Sequence, residues 1–264
     1  MDSKQNDITP HEAAEALRWL SEMGADEIIG ETPVNRLVAA AAKPAPAVAR
    51  PAAPAPAAAP VVVAPGTSAA QFQSLDEIAR ALEGFDACPL KKTATRLCFA
   101  DGNPQARVML VGEAPGREED IEGRPFVGRS GQLLDRMLAA VGLSRTAQDR
   151  ESAVFITNVI FWRPPGNRTP TEAETQMCLP FLLRTIELQQ PDVIVCLGAT
   201  PAHRLTGKAD GILKLRGKWV TARVGTRSIP LLPTLHPAYL LRQPAQKRLA
   251  WRDLLSLRQM LDAH

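Results

Sequence analysis

Apolar residues recur along the chain in two patterns that predict strands and helices. Four runs are almost continuously apolar and are typical of buried strands, at residues 106–112, 153–160, 192–198 and 228–237. Elsewhere apolar residues return every three or four positions, which predicts helices over residues 74–85, 130–143, 171–189, 200–207 and 246–263. Pro180 lies inside the third helix and is expected to bend or split it. Continuous apolar strands that alternate with helices predict a three-layer α/β/α fold around a central four-stranded parallel sheet.

The first 70 residues follow a different pattern and predict two further segments. Residues 1–38 include one amphipathic stretch, residues 9–23, whose apolar side chains fall at helical spacing. Residues 39–70 are rich in alanine and proline and contain seven of the chain's 23 prolines. Large apolar groups are too few there to offset the entropy of ordering, so this segment is predicted to be a disordered linker. Residues 71–264 remain as the folded domain.

Charge is distributed unevenly over these segments. Residues 1–38 contain eight acidic and three basic residues and carry a net charge of −5, whereas residues 71–264 carry +6. A modestly basic body suits a polyanion such as nucleic acid, although many small enzymes of this charge bind none. The acidic amphipathic segment suits a protein partner better than DNA, and the alternative is that it folds back onto the body.

Composition excludes several classes of protein. No run of about 18 apolar residues is free of prolines and charges, which excludes a transmembrane helix. The first residues are polar and acidic, unlike a secretory signal. Four cysteines are too few for a disulfide scaffold of this size. We therefore expect a cytoplasmic monomer with no membrane partner.

Four segments follow the carboxyl ends of the predicted strands, where ligands bind in parallel α/β sheets. They comprise residues 112–131, Asn158 with residues 163–170, residues 198–203 and residues 236–242. The first is glycine-rich but fits neither the dinucleotide-binding nor the P-loop pattern. Of the four histidines, only His236 is predicted to lie just beyond a strand end. It is therefore the best histidine candidate for chemistry.

Three sequence segments together carry a family resemblance. VGEAPGREEDIEGRPFVGRSGQLLDRML, ITNVIFWRPPGNRTP and PTLHPAYLLRQPAQKRLAWRDL resemble, in the same order, the motifs of type-4 uracil-DNA glycosylases. The resemblance implies a small α/β enzyme that flips uracil out of DNA and hydrolyses its bond to deoxyribose, which begins base-excision repair. The alternative function is a non-catalytic relative that binds DNA or recruits a partner.

The resemblance also implies a role for each residue that matches a motif. The implied catalytic residues are Glu113 beside the sugar and water, Glu119 as a second candidate to position water, and His236 as the donor to uracil O2. The implied base-binding residues are Gly112, Ala114, Phe126, which would stack on uracil, and Asn158, which would read its O4 and N3–H edge. Residue types in the same loops predict DNA contacts for Arg163, Asn167, Arg168, Tyr239, Leu240 and Arg242. Tyr239, Leu240 and Leu241 are candidates to fill the gap left by the flipped base.

The type-4 family carries a [4Fe–4S] cluster on four cysteines, and this sequence departs from that pattern. Only Cys88 and Cys178 match ligand positions, because Phe85 and Trp162 occupy the other two. The two remaining cysteines are predicted to lie elsewhere in the body. Since such a cluster normally needs four ligands, no cofactor is predicted. Phe85 and Trp162 are expected to fill the space with apolar packing.

Overall fold

The computed structural model of this protein describes residues 69–263. The predictions for residues 1–38, and for nearly all of the linker at residues 39–70, lie outside the described residues. Within them, no helix is both long enough and apolar enough to cross a bilayer.

The described residues form eight α-helices, most of them close to the helices that the apolar periodicity predicts. They are α1 (Leu75–Glu83), α2 (Arg117–Glu122), α3 (Arg129–Ala139), α4 (Glu172–Gln189), α5 (Ala199–Thr206), α6 (Ile212–Leu215), α7 (Pro237–Arg242) and α8 (Lys247–Asp262). Single 3₁₀ turns occupy Ala69–Gln71, Pro89–Lys92, Pro165–Asn167 and Pro244–Gln246.

One six-stranded sheet lies at the centre, in the order β1-β3-β2-β4-β6-β5. Its strands are β1 (Ala100–Gly102), β2 (Val108–Gly112), β3 (Val154–Asn158), β4 (Val193–Leu197), β5 (Val220–Val224) and β6 (Arg227–Thr234). The four predicted strands are all present, adjacent and parallel.

The sheet is wider than predicted, because one antiparallel strand is added at each edge of the four parallel strands. Strand β1 pairs antiparallel with β3, and β5 pairs antiparallel with β6. Strand β1 has only three residues and none is buried, while β5 alternates between more and less exposed positions. Neither strand produces the continuous apolar run by which the buried strands were recognised.

Apolar side chains cover both faces of the sheet, which confirms the three-layer architecture. Successive residues of β2 point to opposite faces. Met109 and Val111 pack with α1, α4 and α5 on one face. Val108 and Leu110 pack with α3 and α8 on the other. The parallel strands are therefore buried on both sides, and their carboxyl ends are left free to form a site.

Pro180 does not split α4, although a split was one of the two effects expected of it. Helix α4 runs unbroken through Pro180 from Glu172 to Gln189. A proline removes one backbone hydrogen bond from a helix interior. Here Cys178 and Phe181, on either side of the proline, are buried in the same core. This packing holds the two halves of the helix together.

Candidate active site

A cavity of about 480 Å³ opens at the carboxyl ends of the parallel strands. Segments that follow β2, β3, β4 and β6 all contribute to its wall, as the topology predicts. The predicted site residues that line it are Glu113, Ala114, Glu119, Phe126, Asn158, Asn167, Arg168, His236, Tyr239 and Arg242. Residues more than a hundred positions apart in the sequence thus meet around one space.

Phe126 provides a flat apolar wall of the cavity and is held by its own backbone. Its φ angle of 55° is in the left-handed region, which is costly for a residue with a side chain. The guanidinium of Arg145 donates to the carbonyl oxygens of Pro125 (3.0 Å) and Phe126 (2.8 Å). The ring centroids of Phe126 and His236 lie 5.5 Å apart. Arg145 is not among the predicted site residues, because it lies 19 positions from the residue that it supports.

Asn158 lies at the floor of the cavity, beside Gly112. The two residues are register partners at the ends of β3 and β2. A Cβ atom on Gly112 would lie 2.3 Å from Asn158 Oδ1 and 2.6 Å from Phe126 Cζ, so only glycine fits there without displacement. Asn158 Oδ1 is buried and has no hydrogen-bond partner among the described residues. An unsatisfied buried amide at the floor of a cavity is suited to a polar ligand.

His236 has a defined tautomer and a defined charge. It caps the amino end of α7, where its Nδ1 accepts a hydrogen bond from the backbone N–H of Ala238 at 3.1 Å. Burial lowers the pKa of His236 to about 4, and the positive charge of Arg242 adds to this effect. The ring is therefore neutral at pH 7 and carries its proton on Nε2, the nitrogen not used by the cap.

Glu113 is held in place by Thr200, which is not among the predicted site residues. Thr200, in the first turn of α5, donates from Oγ1 to Oε2 of Glu113 at 2.8 Å. The amino end of a helix also favours a nearby carboxylate. The GATPAH segment was recognised as following a strand end, but a lone threonine in it carries no signature of a partner 87 positions away.

Glu119 lines the cavity, and both of its carboxylate oxygens accept hydrogen bonds from backbone N–H groups. Its Oε1 accepts hydrogen bonds from the backbone N–H groups of Val127 and Gly128, each at 3.0 Å. Its Oε2 accepts from the N–H of Gly116 at 3.1 Å. These bonds join the two glycine-rich loops. The contacts give Glu119 a structural role and do not support its prediction as the residue that positions water.

The basic loop after β3 lies partly at the mouth of the cavity. Asn167 and Arg168 line the cavity, and Arg163 donates from Nε to Asn167 Oδ1 at 2.8 Å. Arg168 also donates to both carboxylate oxygens of Glu174, at 2.6 and 2.9 Å. The hydrogen bond from Arg168 lowers the pKa of Glu174 to about 2. Arg168 is thus oriented by a protein partner while 43% of its side chain stays exposed.

Of the residues of α7 that are predicted to contact DNA, only some are accessible at the cavity. Tyr239 and Arg242 line the cavity, but Leu240 is wholly buried. Leu240 packs in a small core with Leu133 and Ala250. The prediction that Leu240 contacts DNA is wrong, since a helix that begins at Pro237 turns this side chain inward, toward α3 and α8.

Comparison with known proteins decides the family. Residues 99–255 match the family model of the uracil DNA glycosylase superfamily. The chain belongs to this superfamily. The matched range contains every residue that lines the cavity.

Several type-4 members of the uracil DNA glycosylase superfamily are similar to this chain. The type-4 uracil-DNA glycosylase of Archaeoglobus fulgidus is 40% identical over 176 residues, which cover 65% of this chain and 85% of that protein. The Thermotoga maritima protein of the same name is 43% identical over 171 residues, covering 64% and 84%. The Pyrobaculum aerophilum protein is 38% identical over 184 residues, covering 68% and 91%.

The positions of the four cysteines show whether this protein can hold the [4Fe–4S] cluster that the resemblance to type-4 glycosylases implies. All four cysteines are buried and free. Cys88 and Cys178 face each other, and their hydrogen bond lowers the pKa of Cys88 and raises that of Cys178. Cys98 instead donates to the carbonyl oxygen of Glu119 at 3.0 Å, and Cys196 is buried inside β4.

Aromatic rings stand at the two positions that lack cysteine. Phe85 stacks on Trp162 with centroids 6.4 Å apart and contacts Phe181 edge-on at 5.0 Å. Trp162 is 2% exposed and meets Phe161 edge-on. Among the described residues, no group of three or more potential metal ligands is assembled. The residues present therefore do not fit a cluster with four thiolate ligands.

Proposed function

We propose that this chain is a uracil-DNA glycosylase that hydrolyses the bond between N1 of uracil and C1′ of deoxyribose. The observation that carries the proposal is the convergence of Phe126, Asn158 and His236 on one cavity. These residues supply a flat apolar face, an unsatisfied amide and a neutral N–H donor. The names of the type-4 relatives support the same activity.

Recognition of the base follows from the chemistry of these groups. A uracil flipped out of the helix stacks on Phe126, and such stacking favours any flat ring. The amide of Asn158 accepts from N3–H and donates to O4, which satisfies its buried oxygen. Gly112 keeps the floor open for the base, and the backbone at Ala114 completes the wall.

Bond cleavage follows from charge separation. As the N1–C1′ bond breaks, its electron pair moves into the uracil ring and negative charge grows on O2. His236 Nε2–H donates to this oxygen, and a donor that is already oriented stabilises the transition state most. Positive charge grows on the sugar, where Glu113 stabilises it and orients a water. The water oxygen bonds to C1′, and the proton that the water loses neutralises the uracil anion, giving uracil and an abasic site.

DNA lies across the mouth of the cavity in this proposal. Arg168, Asn167 and Arg242 supply donors for phosphates, with Arg163 fixing the side chain of Asn167. Tyr239 lies beside them at the cavity wall.

Uracil release from oligonucleotides tests the proposal. The full-length protein is expected to release uracil from single-stranded and duplex DNA and to leave an alkali-labile abasic site. The matched control is the same oligonucleotide with thymine at the target position. Binding of uracil-containing DNA without release would instead favour the non-catalytic alternative.

Replacing Thr200 with valine tests whether it positions Glu113. The loss of a hydrogen bond to a charged group is expected to lower kcat about tenfold with little change in KM. Thr200→Ser should restore the rate. Thr206→Val is the matched control, because that hydroxyl donates to the carbonyl of Ala202 and accepts from the N–H of Lys208, and none of these residues lines the cavity. In a Glu113→Gln background, Thr200→Val should cause no further loss, and additive losses would contradict the assignment.

We also propose that the protein functions without an iron–sulfur cluster. The purified protein is expected to contain no stoichiometric iron and no visible charge-transfer band. Cys88→Ala is expected to destabilise less than Trp162→Ala, since loss of a large buried ring costs about 3–5 kcal/mol. Metal analysis and thermal unfolding measure both. Stoichiometric iron, together with a lower melting temperature on chelation, would contradict this proposal.

The remaining expectations concern location and assembly. A cytoplasmic location, a monomeric state and a protein partner for residues 1–38 all stay predictions. The acidic charge and apolar stripe of that segment support a protein partner rather than DNA.

A further inference from the structure

Asp253, in the middle of α8, is a buried carboxylate that the proposed reaction does not use. Its side chain is fully covered, and the guanidinium of Arg216 donates to both of its oxygens, from Nε to Oδ2 at 3.0 Å and from Nη2 to Oδ1. The hydroxyl of Thr234 also donates to Oδ2, at 2.7 Å. Burial raises the pKa of Asp253, and both of these donors oppose the rise. A buried carboxylate thus joins helix α8 to the last residue of β6.

Further hydrogen bonds close this network around the end of β6. Gly217, next to Arg216, donates from its backbone N–H to the carbonyl of Pro233 at 2.9 Å. A Cβ atom on Gly217 would lie 2.5 Å from Asp253 Oδ1, so the chain passes directly over the carboxylate. Arg216 also donates to the carbonyl of Leu249 in α8, at 2.7 Å. Strand β6, the segment after α6 and helix α8 are therefore fixed to one another by directed hydrogen bonds.

A buried ion pair at this point serves position better than stability. Such a pair is often no more stabilising than apolar packing of the same volume, because both charged groups lose their hydration. Apolar contacts are not directional, however, whereas hydrogen bonds require defined distances and angles between their partners. The bonds of Asp253 are therefore suited to hold a strand end at one position.

His236 follows this strand end by two residues. The backbone carbonyl of Thr234 accepts from the N–H of Gly198 at 3.0 Å, which ties the end of β6 to the end of β4. A Cβ atom on Gly198 would lie 3.6 Å from Cβ of His236, so the histidine packs against that turn. The ring also lies beside Phe126, with the centroids 5.5 Å apart. The direction of Nε2–H therefore depends on where β6 ends.

We propose that Asp253 is a positioning residue for uracil release, which acts through Thr234 to place Nε2–H of His236 at uracil O2. This inference rests on the proposed glycosylase function, because the atom that is positioned is the donor in that reaction. A donor stabilises a developing oxyanion most when it is already oriented, and a displacement of about 1 Å can slow a reaction about a hundredfold. Loss of the bond between Thr234 and Asp253 should therefore lower the rate and leave the affinity for DNA unchanged.

Thr234→Val tests the proposal, because valine has the shape of threonine without its hydroxyl. Single-turnover release of uracil from single-stranded DNA is expected to slow about tenfold, with no change in the enzyme concentration that gives half of the maximal rate. Thr234→Ser should restore the rate. Thr185→Val is the matched control, because that buried hydroxyl donates to the carbonyl of Phe181 within α4 and neither residue lines the cavity. The control should lose some thermal stability and keep the wild-type rate.

Double variants separate positioning from a general loss of structure. In a His236→Ala background, Thr234→Val should cause no further slowing, since the group that is positioned is gone. Asp253→Asn should slow release at least as much as Thr234→Val, and the two changes together should slow it no more than Asp253→Asn alone. A wild-type rate in Thr234→Val, or equal slowing with and without His236, would overturn the role of Asp253.

A signal that needs no bond cleavage distinguishes failure of this inference from failure of the proposed function. In protein labelled with ¹⁵N-histidine, the Nε2–H resonance of His236, identified by its loss in His236→Ala, should shift when free uracil is added. At saturation the shift should be smaller in Thr234→Val. A wild type that releases no uracil would contradict the glycosylase proposal. An active wild type whose shift equals that of Thr234→Val would contradict the positioning role.

Discussion

Replacing His236 with alanine is expected to slow uracil release by about 10²–10³-fold, the loss typical of removing one oriented donor to a developing oxyanion. Affinity for uracil-containing DNA should change much less, because the hydrogen bond strengthens only as charge moves onto O2. Single-turnover kinetics and fluorescence anisotropy measure the two effects. His203→Ala, assayed on single-stranded DNA, is the control, since that ring binds a backbone carbonyl outside the cavity.

The low pKa of His236 also makes the stability of the protein depend on pH. The ring remains neutral in the folded state until the pH falls toward about 4, whereas an unfolded histidine takes up its proton near 6.5. Between these values the unfolded chain binds more protons, so His236 lowers stability as the pH falls through this window. The melting temperature of His236→Ala should therefore depend less on pH there. A wild-type rate in this variant would show that the donor is assigned wrongly.

Replacing Asn158 with leucine is expected to separate activity from stability. Uracil release should fall by about 10²–10³-fold, because the base edge would face an apolar side chain with no hydrogen-bond partner. The melting temperature should change little, because the buried oxygen without a partner disappears and leucine has the same branched shape and number of non-hydrogen atoms, with its extra volume facing the cavity. Release assays and thermal unfolding of the same preparation provide both values.

The comparison variant for Asn158 is Asn103→Leu. The Asn103 amide is fully used, since it donates to the carbonyl of Gln148 at 2.9 Å and its oxygen accepts from the N–H of Gln105 at 2.9 Å. This variant should lose stability and keep its activity. A fall of several degrees in the melting temperature of Asn158→Leu, with activity retained, would show that the amide serves the fold and not the base.

The sequence predicts those parts of the fold that depend on burial. Strands β2, β3, β4 and β6 are mostly apolar along their buried length, so their existence and their parallel direction follow from pattern alone. The cavity then follows from a topological rule, since all four carboxyl ends face one way. The two edge strands could not be predicted in this way. A half-exposed strand has no continuous apolar run, and it forms because its backbone pairs with the adjacent strand.

Side-chain direction and long-range support could not be predicted in the same way. Leu240 follows a histidine in a motif that suggests exposure, yet one turn of helix places it inside. Thr200 and Arg145 act on residues far away in the sequence, Glu113 and Phe126. Single polar residues of such common types have no local pattern. Only the packing of the helices and loops around the cavity brings these pairs together.

The pairing of Gly112 with Asn158 in the sheet makes the floor of the cavity more rigid than its rim. Both residues end strands in the centre of the sheet, so the floor can shift only when the backbone ladder itself opens. Amide hydrogens of β2 and β3 should exchange with solvent among the slowest in the protein. The segments of residues 163–170 and 207–215 are free of this ladder. We therefore expect entry and departure of a base to depend on movement of the rim, on the microsecond-to-millisecond scale typical of such loops, above a floor that keeps its shape.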